Sequence, residues 1–228
     1  MAVSVPAKQG NLRLVGESVM NGGSFGRVSI VGEGKLIGRT ECDSFGCTGN
    51  SVVEGDLVAK KVRVMGELKV DGDLKSREAK VTGEIQVKGS AQGDSLNVPG
   101  GSFSVEGDCE FEEMTVKGMI RAGGLLSADR MELRLFGGSS ASEIGGGHIL
   151  IKQSKAMKLK KMFAAHPNEV IKAGTIEGDV IELENTMADV VRGNRVSIGL
   201  GCEIGRVEYR GELKLDRRAK VGEQIRIQ

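Results

Sequence analysis

The sequence predicts an all-β protein, a right-handed parallel β-helix (solenoid) built from coils of about 17 residues. Three observations carry this. First, GNSVVEG, GELKVDG and GEIQVKG begin at Gly49, Gly66 and Gly83, seventeen residues apart. Second, apolar residues recur at fixed places in each unit: Val53, Val70 and Val87; Leu57, Leu74 and Ala91; and the pairs Val62/Val64, Ala79/Val81 and Leu96/Val98. Third, apolar and polar residues alternate, as in Leu68-Lys69-Val70-Asp71, the period of a strand with one buried face. A unit this short holds two or three strands and no helix. It cannot bury its apolar face alone, whereas stacked copies form a continuous column.

Composition agrees. The chain has 35 Gly and 3 Pro in 228 residues, and its only aromatics are 6 Phe and 1 Tyr. A narrow coil filled by Val, Leu and Ile has little room for aromatic bulk. A formal net charge of +1 gives no global attraction to nucleic acid or anionic lipid. The four cysteines make neither a metal-binding spacing nor a disulfide framework, and Cys47 and Cys109 fall on inward columns. MAVSVPAKQG lacks a signal-peptide apolar core and no run approaches the roughly 20 apolar residues of a spanning helix. The expectation is a cytoplasmic protein.

In chain order, residues 1–10 read as a flexible N-terminus and 11–151 as the main β-helix. Leu12 and Leu14 match the second apolar pair, and GESVMNG and GEGKLIG follow from Gly16 and Gly32, one residue short of the period. The row at Gly101 carries an extra residue at Pro99-Gly100-Gly101, placed at a corner. Near Gly137 the regularity breaks. Residues 152–169 form a basic linker or short helix outside the coil, carrying Lys152, Lys155, Lys158, Lys160 and Lys161. These lysines suit either a patch for anionic lipid or an acidic partner, or a solvated loop. Strand patterning resumes over 170–228. GNRVSIG and GRVEYRG stand twelve residues apart rather than seventeen, so these C-terminal coils either join the first stack or form a second one.

The G-x-[LIV]-x-V-x-G units, with GD after the second glycine in EGDLVAKKV and DGDLKSREAKV, resemble the bactofilins. The resemblance covers about residues 16–151. The segment IEGDVIELENTMADVVRGNRVSIGLGCEIGRVEY looks like the C-terminal part of a longer, Bacillus-type subgroup. It implies a right-handed β-helix core and a non-enzymatic cytoskeletal scaffold. Such scaffolds form non-polar filaments end to end, without nucleotide or cofactor and often on the membrane. They organise cell-envelope or flagellar machinery. The implied partners are the chain itself and a membrane surface or cell-envelope protein, with no nucleic acid and no small-molecule substrate. Two departures stand out: the interruption at 152–168, and an N-terminus too polar for the membrane-targeting peptide many bactofilins carry. Independently of the family, an uncapped solenoid leaves unpaired backbone groups over an apolar column. That places the polymer contacts at Leu12 and Leu14 on one end and at Ile225 and Ile227 on the other.

Rival chemistries find little to work with. Acyltransferase β-helices carry a hexapeptide repeat and a catalytic histidine, whereas the histidines here, His148 and His166, lie in the irregular part. The different-class alternative is a carbohydrate-active right-handed β-helix enzyme, which needs clustered carboxylates and aromatic platforms. Asp56, Asp73 and Asp108 form one candidate column that could chelate Ca²⁺, or else cap its own turns. Ser90 interrupts it, Trp is absent and Tyr209 stands alone. Gly-x-Gly at Gly32 and Gly199 precedes no helix, so a phosphate cradle fails on context.

Overall fold

A computed structural model describes residues 10–153 and 170–228. Every regular element in it is a strand. The first half contains β1 (Leu12–Asn21), β2 (Ser24–Ile37), β3 (Thr40–Glu54), β4 (Leu57–Val70), β5 (Leu74–Val87), β6 (Ala91–Val105), β7 (Cys109–Val116) and β8 (Met119–Ala122). The second contains β9 (Leu125–Leu135), β10 (Ser139–Ser140), β11 (Glu143–Gln153), β12 (Ile171–Leu183), β13 (Thr186–Ile198), β14 (Glu203–Leu215) and β15 (Lys220–Arg226). All pair in parallel in a single 15-stranded sheet that follows chain order, apart from the short β8 and β10. The result is a parallel β-solenoid of about 12 turns.

The repeat is legible in the ladder. Gly49, Gly66 and Gly83 pair in succession. The short first row pairs Gly16 with Gly32, and the extra residue near Pro99 is a bulge between Lys80 and Thr82 of the facing strand. One difference concerns the strands. Most coils hold one unbroken strand of 13 to 15 residues, as in β2 to β6, rather than two or three. The reason lies at the glycine corner. Gly66 and Gly83 turn the chain at φ +136°, where a Cβ would run into the carbonyl oxygen of the preceding coil's glycine. Glycine alone makes that bend while keeping its ladder partners.

The core is a set of residue columns running along the stack. One runs from Leu12 through Val28, Phe45, Val62, Ala79, Leu96, Met114, Met131, Ile149, Ile181 and Val196 to Leu213, apolar at every level. Val70 lies between Val53 and Val87 with 0% exposure.

The alternatives left open by the C-terminal spacing resolve into one stack. Ile144 of β11 pairs with Ile176 of β12, so the two strands are neighbours although residues 154–169 separate them in sequence. GNRVSIG and GRVEYRG stand twelve apart because they occupy different places on the coil. Gly193 pairs with Gly178 and Tyr209, whereas a Cβ on Gly205 would meet Asp189.

Two substitutions probe this architecture. Val70→Asp sets an unpaired carboxylate in a dry column and should cost several kcal/mol, read as loss of the cooperative thermal transition. Gly66→Ala forces a strained φ against backbone and should cost about 2 kcal/mol or more. Gly100→Ala, with nothing within 4 Å of the added methyl, should leave the urea midpoint unchanged.

Candidate assembly surfaces

Among the described residues, the two ends of the stack differ from every interior coil because their columns have a paired neighbour on one side only. At the N-terminal end, β1 pairs only with β2 among the described residues. Leu14 is 8% exposed and Leu12 is partly buried against the core. Met20 pairs with Leu36, a residue at 0% exposure, yet is itself 46% exposed. Its side chain belongs to an inward column, with no described residue paired on its outer side. Sequence reading missed Met20, although its offset from Leu36 could have revealed it.

At the C-terminal end, β15 pairs with the first half of β14. Leu213 and Leu215 therefore remain the outermost residues of their columns, above Val196 and Ile198. Leu215 is 40% exposed where Ile198 is 1% exposed. Val221 continues the column of Ala188 and Ile204, and Gln224 that of Val191 and Val207.

The register places the residues of the expected C-terminal contact, Ile225 and Ile227, off the inward columns. Ile225 does not continue an inward column; it pairs with Glu208. Glu208 lies in an ionic ladder in which Arg192 bonds Glu208 at 2.7 Å and Glu177 at 2.9 Å. The hydrogen bond from Arg192 holds the Glu208 carboxyl below its ordinary range. Ile227 donates its N–H to the Tyr209 carbonyl, at the edge of the last coil. The register slips by one between Gly193 and Arg195, so the apolar end residues are Leu213, Leu215 and Val221.

The lysine cluster divides. Lys152 belongs to β11 and pairs with Glu182 of the next coil at 3.1 Å, so it is a ladder residue rather than part of an excursion. Lys155, Lys158, Lys160 and Lys161 lie outside the described residues, as does His166. His148 sits half-buried in β11 between Arg130 and Val180.

The aspartate column is structural, and it caps the next coil rather than its own turn. Asp56 Oδ1 accepts the N–H of Asp73 at 3.0 Å, and Asp73 Oδ1 that of Ser90 at 2.9 Å. Ser90 continues the column, its Oγ accepting from Asp108 N–H at 3.3 Å, and Asp108 Oδ1 accepts from Leu125 N–H at 2.8 Å. Among the described residues no group of three or more His, Cys, Asp or Glu side chains is placed to hold a metal ion.

The four cysteines are buried. Burial pushes the thiols of Cys47, Cys109 and Cys202 up, away from the nucleophilic thiolate. A groove of about 880 Å³ runs along the flank over Ala59, Ser76, Gly93 and Ala128. Of its carboxylates, Asp43 and Asp94 are ion-paired with Lys60 and Arg77, and Glu110, Glu112 and Asp129 also line it. Its one aromatic, Phe111, is packed edge-on against Phe103 and is buried.

With the ends and flanks in view, comparison places the chain among relatives. It is 38% identical over 223 residues to the uncharacterized protein YhbE of Bacillus subtilis (strain 168), covering 90% of this chain and 93% of YhbE. The chain belongs to the YhbE family. It is also 37% identical over 105 residues to YhbF of the same organism, covering 46% of this chain and 42% of YhbF. No family model matches the chain, and no solved structure matches it.

The capping column gives a direct test. Asp73→Ala strands the Ser90 N–H and should cost about 1 kcal/mol, whereas Asp73→Asn keeps an acceptor oxygen and should unfold near wild type. Calcium should shift the melting temperature of neither variant nor of wild type.

Proposed function

We propose that the chain is a non-enzymatic cytoskeletal scaffold of the cytoplasm that self-assembles end to end into nucleotide-independent filaments. The observation carrying this reading is the pair of apolar column ends, Leu12, Leu14 and Met20 at one and Leu213, Leu215 and Val221 at the other, of which Met20 is 46% and Leu215 40% exposed. Each end also presents a strand whose outer edge is unpaired among the described residues. A copy added there continues the ladder and removes apolar side chains from water, the two contributions that hold every interior coil in place. The resemblance of the glycine-bounded units to bactofilins supports the same reading. The flank groove favours an enzyme less, since its one lining aromatic is packed away. Among the described residues no helix is long and apolar enough to cross a membrane.

Negative-stain microscopy of the purified protein tests the proposal. Wild type should form filaments without nucleotide. Leu14→Arg or Leu215→Arg buries a charge at the joint at a cost of at least a few kcal/mol, two or more decades in affinity. Both variants should remain folded and give short filaments or none. Lys69→Glu, on the flank beside Asp71, should assemble as wild type does. Wild type that stays monomeric at every salt and protein concentration would refute self-assembly.

A further inference from the structure

One flank of the stack carries a surface that the end-to-end reading does not use. We infer that the stripe Val15, Val31, Thr48, Met65 and Thr82 pairs laterally with the same stripe of a second copy. The two copies lie side by side and point the same way, about a two-fold axis parallel to the stack.

The stripe is one outward column across β1 to β5, running beside the corner glycines Gly16, Gly32, Gly49, Gly66 and Gly83. All five stripe residues are exposed, Val15 and Met65 at 62% each. Outward columns in this stack are otherwise rich in charge, so a run of Val, Met and Thr side chains in water favours burial against another surface.

Charge identifies that surface. Two residues before the stripe runs the column Arg13, Ser29, Gly46, Arg63 and Lys80, and two residues after it the column Glu17, Glu33, Asn50, Glu67 and Glu84. The two columns change together. β1, β4 and β5 each carry a cation on one side and a carboxylate on the other, whereas β3 has Gly46 and Asn50. In β6 both columns turn neutral, at Asn97 and Ser102; Glu33 alone has no cation to match. None of these seven charged residues forms an ion pair among the described residues, whereas the outward charges next to them do, Lys61 with Glu78 and Lys69 with Asp71. Glu84 takes a hydrogen bond from the neutral Gln86 amide at 2.8 Å, which leaves its charge unbalanced.

Within one strand, residues four apart stand about 13 Å from each other, too far to pair in their own coil. A two-fold axis along the stripe reverses the order of the columns and keeps the level of each coil. It sets Met65 on Met65, and it brings Arg13, Arg63 and Lys80 of each copy opposite Glu17, Glu67 and Glu84 of the other. The chain turns at the glycine before each carboxylate, and the long Arg and Lys stems span that step. The opposite arrangement, with the copies antiparallel, keeps the column order and sets cations on cations and carboxylates on carboxylates, which like-charge repulsion disfavours. The stacked carboxylates Glu17 and Glu33, and Glu67 and Glu84, are unfavourable within one chain; the parallel pair supplies cations beside them. Because the axis lies along the stack, the pairing makes no demand on how copies meet at the ends.

Thr82→Cys, confirmed folded by thermal unfolding, tests the arrangement with a short bis-maleimide, since facing sheets stand about 10 Å apart, beyond disulfide reach. Wild type controls for the four buried native cysteines. Thr82 reports direction as well as contact: at the last level of the stripe it meets its own copy in the parallel pair and Val15 in the antiparallel one. A covalent dimer is expected. Adding Arg63→Glu with Lys80→Glu, or Glu67→Lys with Glu84→Lys, should lower its yield about tenfold or more. Mixing these two charge variants should restore a covalent heterodimer, because every reversed column then meets its opposite. No covalent dimer from folded Thr82→Cys overturns the lateral pair. So do charge variants that cross-link as well as Thr82→Cys alone, and a mixture that fails to recover the dimer. Filaments are read separately by microscopy, so their absence fails the end-to-end reading and leaves this result standing.

Discussion

Backbone pairing between successive coils is the interaction on which everything else depends. Each coil donates and accepts along its whole length, and the parallel register puts like residue over like residue at the sheet spacing of about 4.8 Å. Register and burial are therefore one constraint. A residue that faces inward in one coil must be followed inward by its partner, as in the run from Leu12 to Leu213. Departures from the period are absorbed where the ladder can bend, at the Lys80/Thr82 bulge and the slip near Gly193.

Polar side chains serve the same constraint. The Asp56, Asp73, Ser90 and Asp108 side chains each take a backbone N–H of the next coil, satisfying donors at corners where a buried orphan would be costly. Outward ion pairs link successive coils, as between Lys61 and Glu78 or Arg77 and Asp94. Exposed pairs of this kind contribute at most about 1 kcal/mol each. They fix which charges sit opposite one another more than they hold the stack together. Carboxylates also stack in adjacent coils, Glu17 on Glu33 and Glu67 on Glu84, where like charges disfavour the pairing.

The ends express the same physics with one side missing. Leu215 and Met20 are not ordinary surface residues; they occupy places that are sealed in every interior coil. Where a column is apolar to its last member, as at Met20 and Leu215, a single copy leaves that member partly in water. Self-association through the ends removes that cost with contacts the fold already makes.

Much was legible in the sequence, because a stacked repeat writes its tertiary contacts into a one-dimensional period. The glycine spacing, the inward columns through Val53, Val70 and Val87, the short first row and the extra residue near Pro99 follow from counting alone. The C-terminal coils were not readable in that way. Their coils run 15 to 17 residues, as in Ile171 to Thr186, Met187 to Glu203 and Glu203 to Lys220, so no single period aligns them. There, alternation suggested Ile225 and Ile227, while the ladder instead sets Leu213, Leu215 and Val221 at the end. The direction of the aspartate caps was equally hidden, since a side chain one coil away is as near as one in its own turn. Sequence thus determined that coils stack and which residues face inward. Only the ladder decided register where the period drifts, because a one-residue slip turns every side chain to the opposite face.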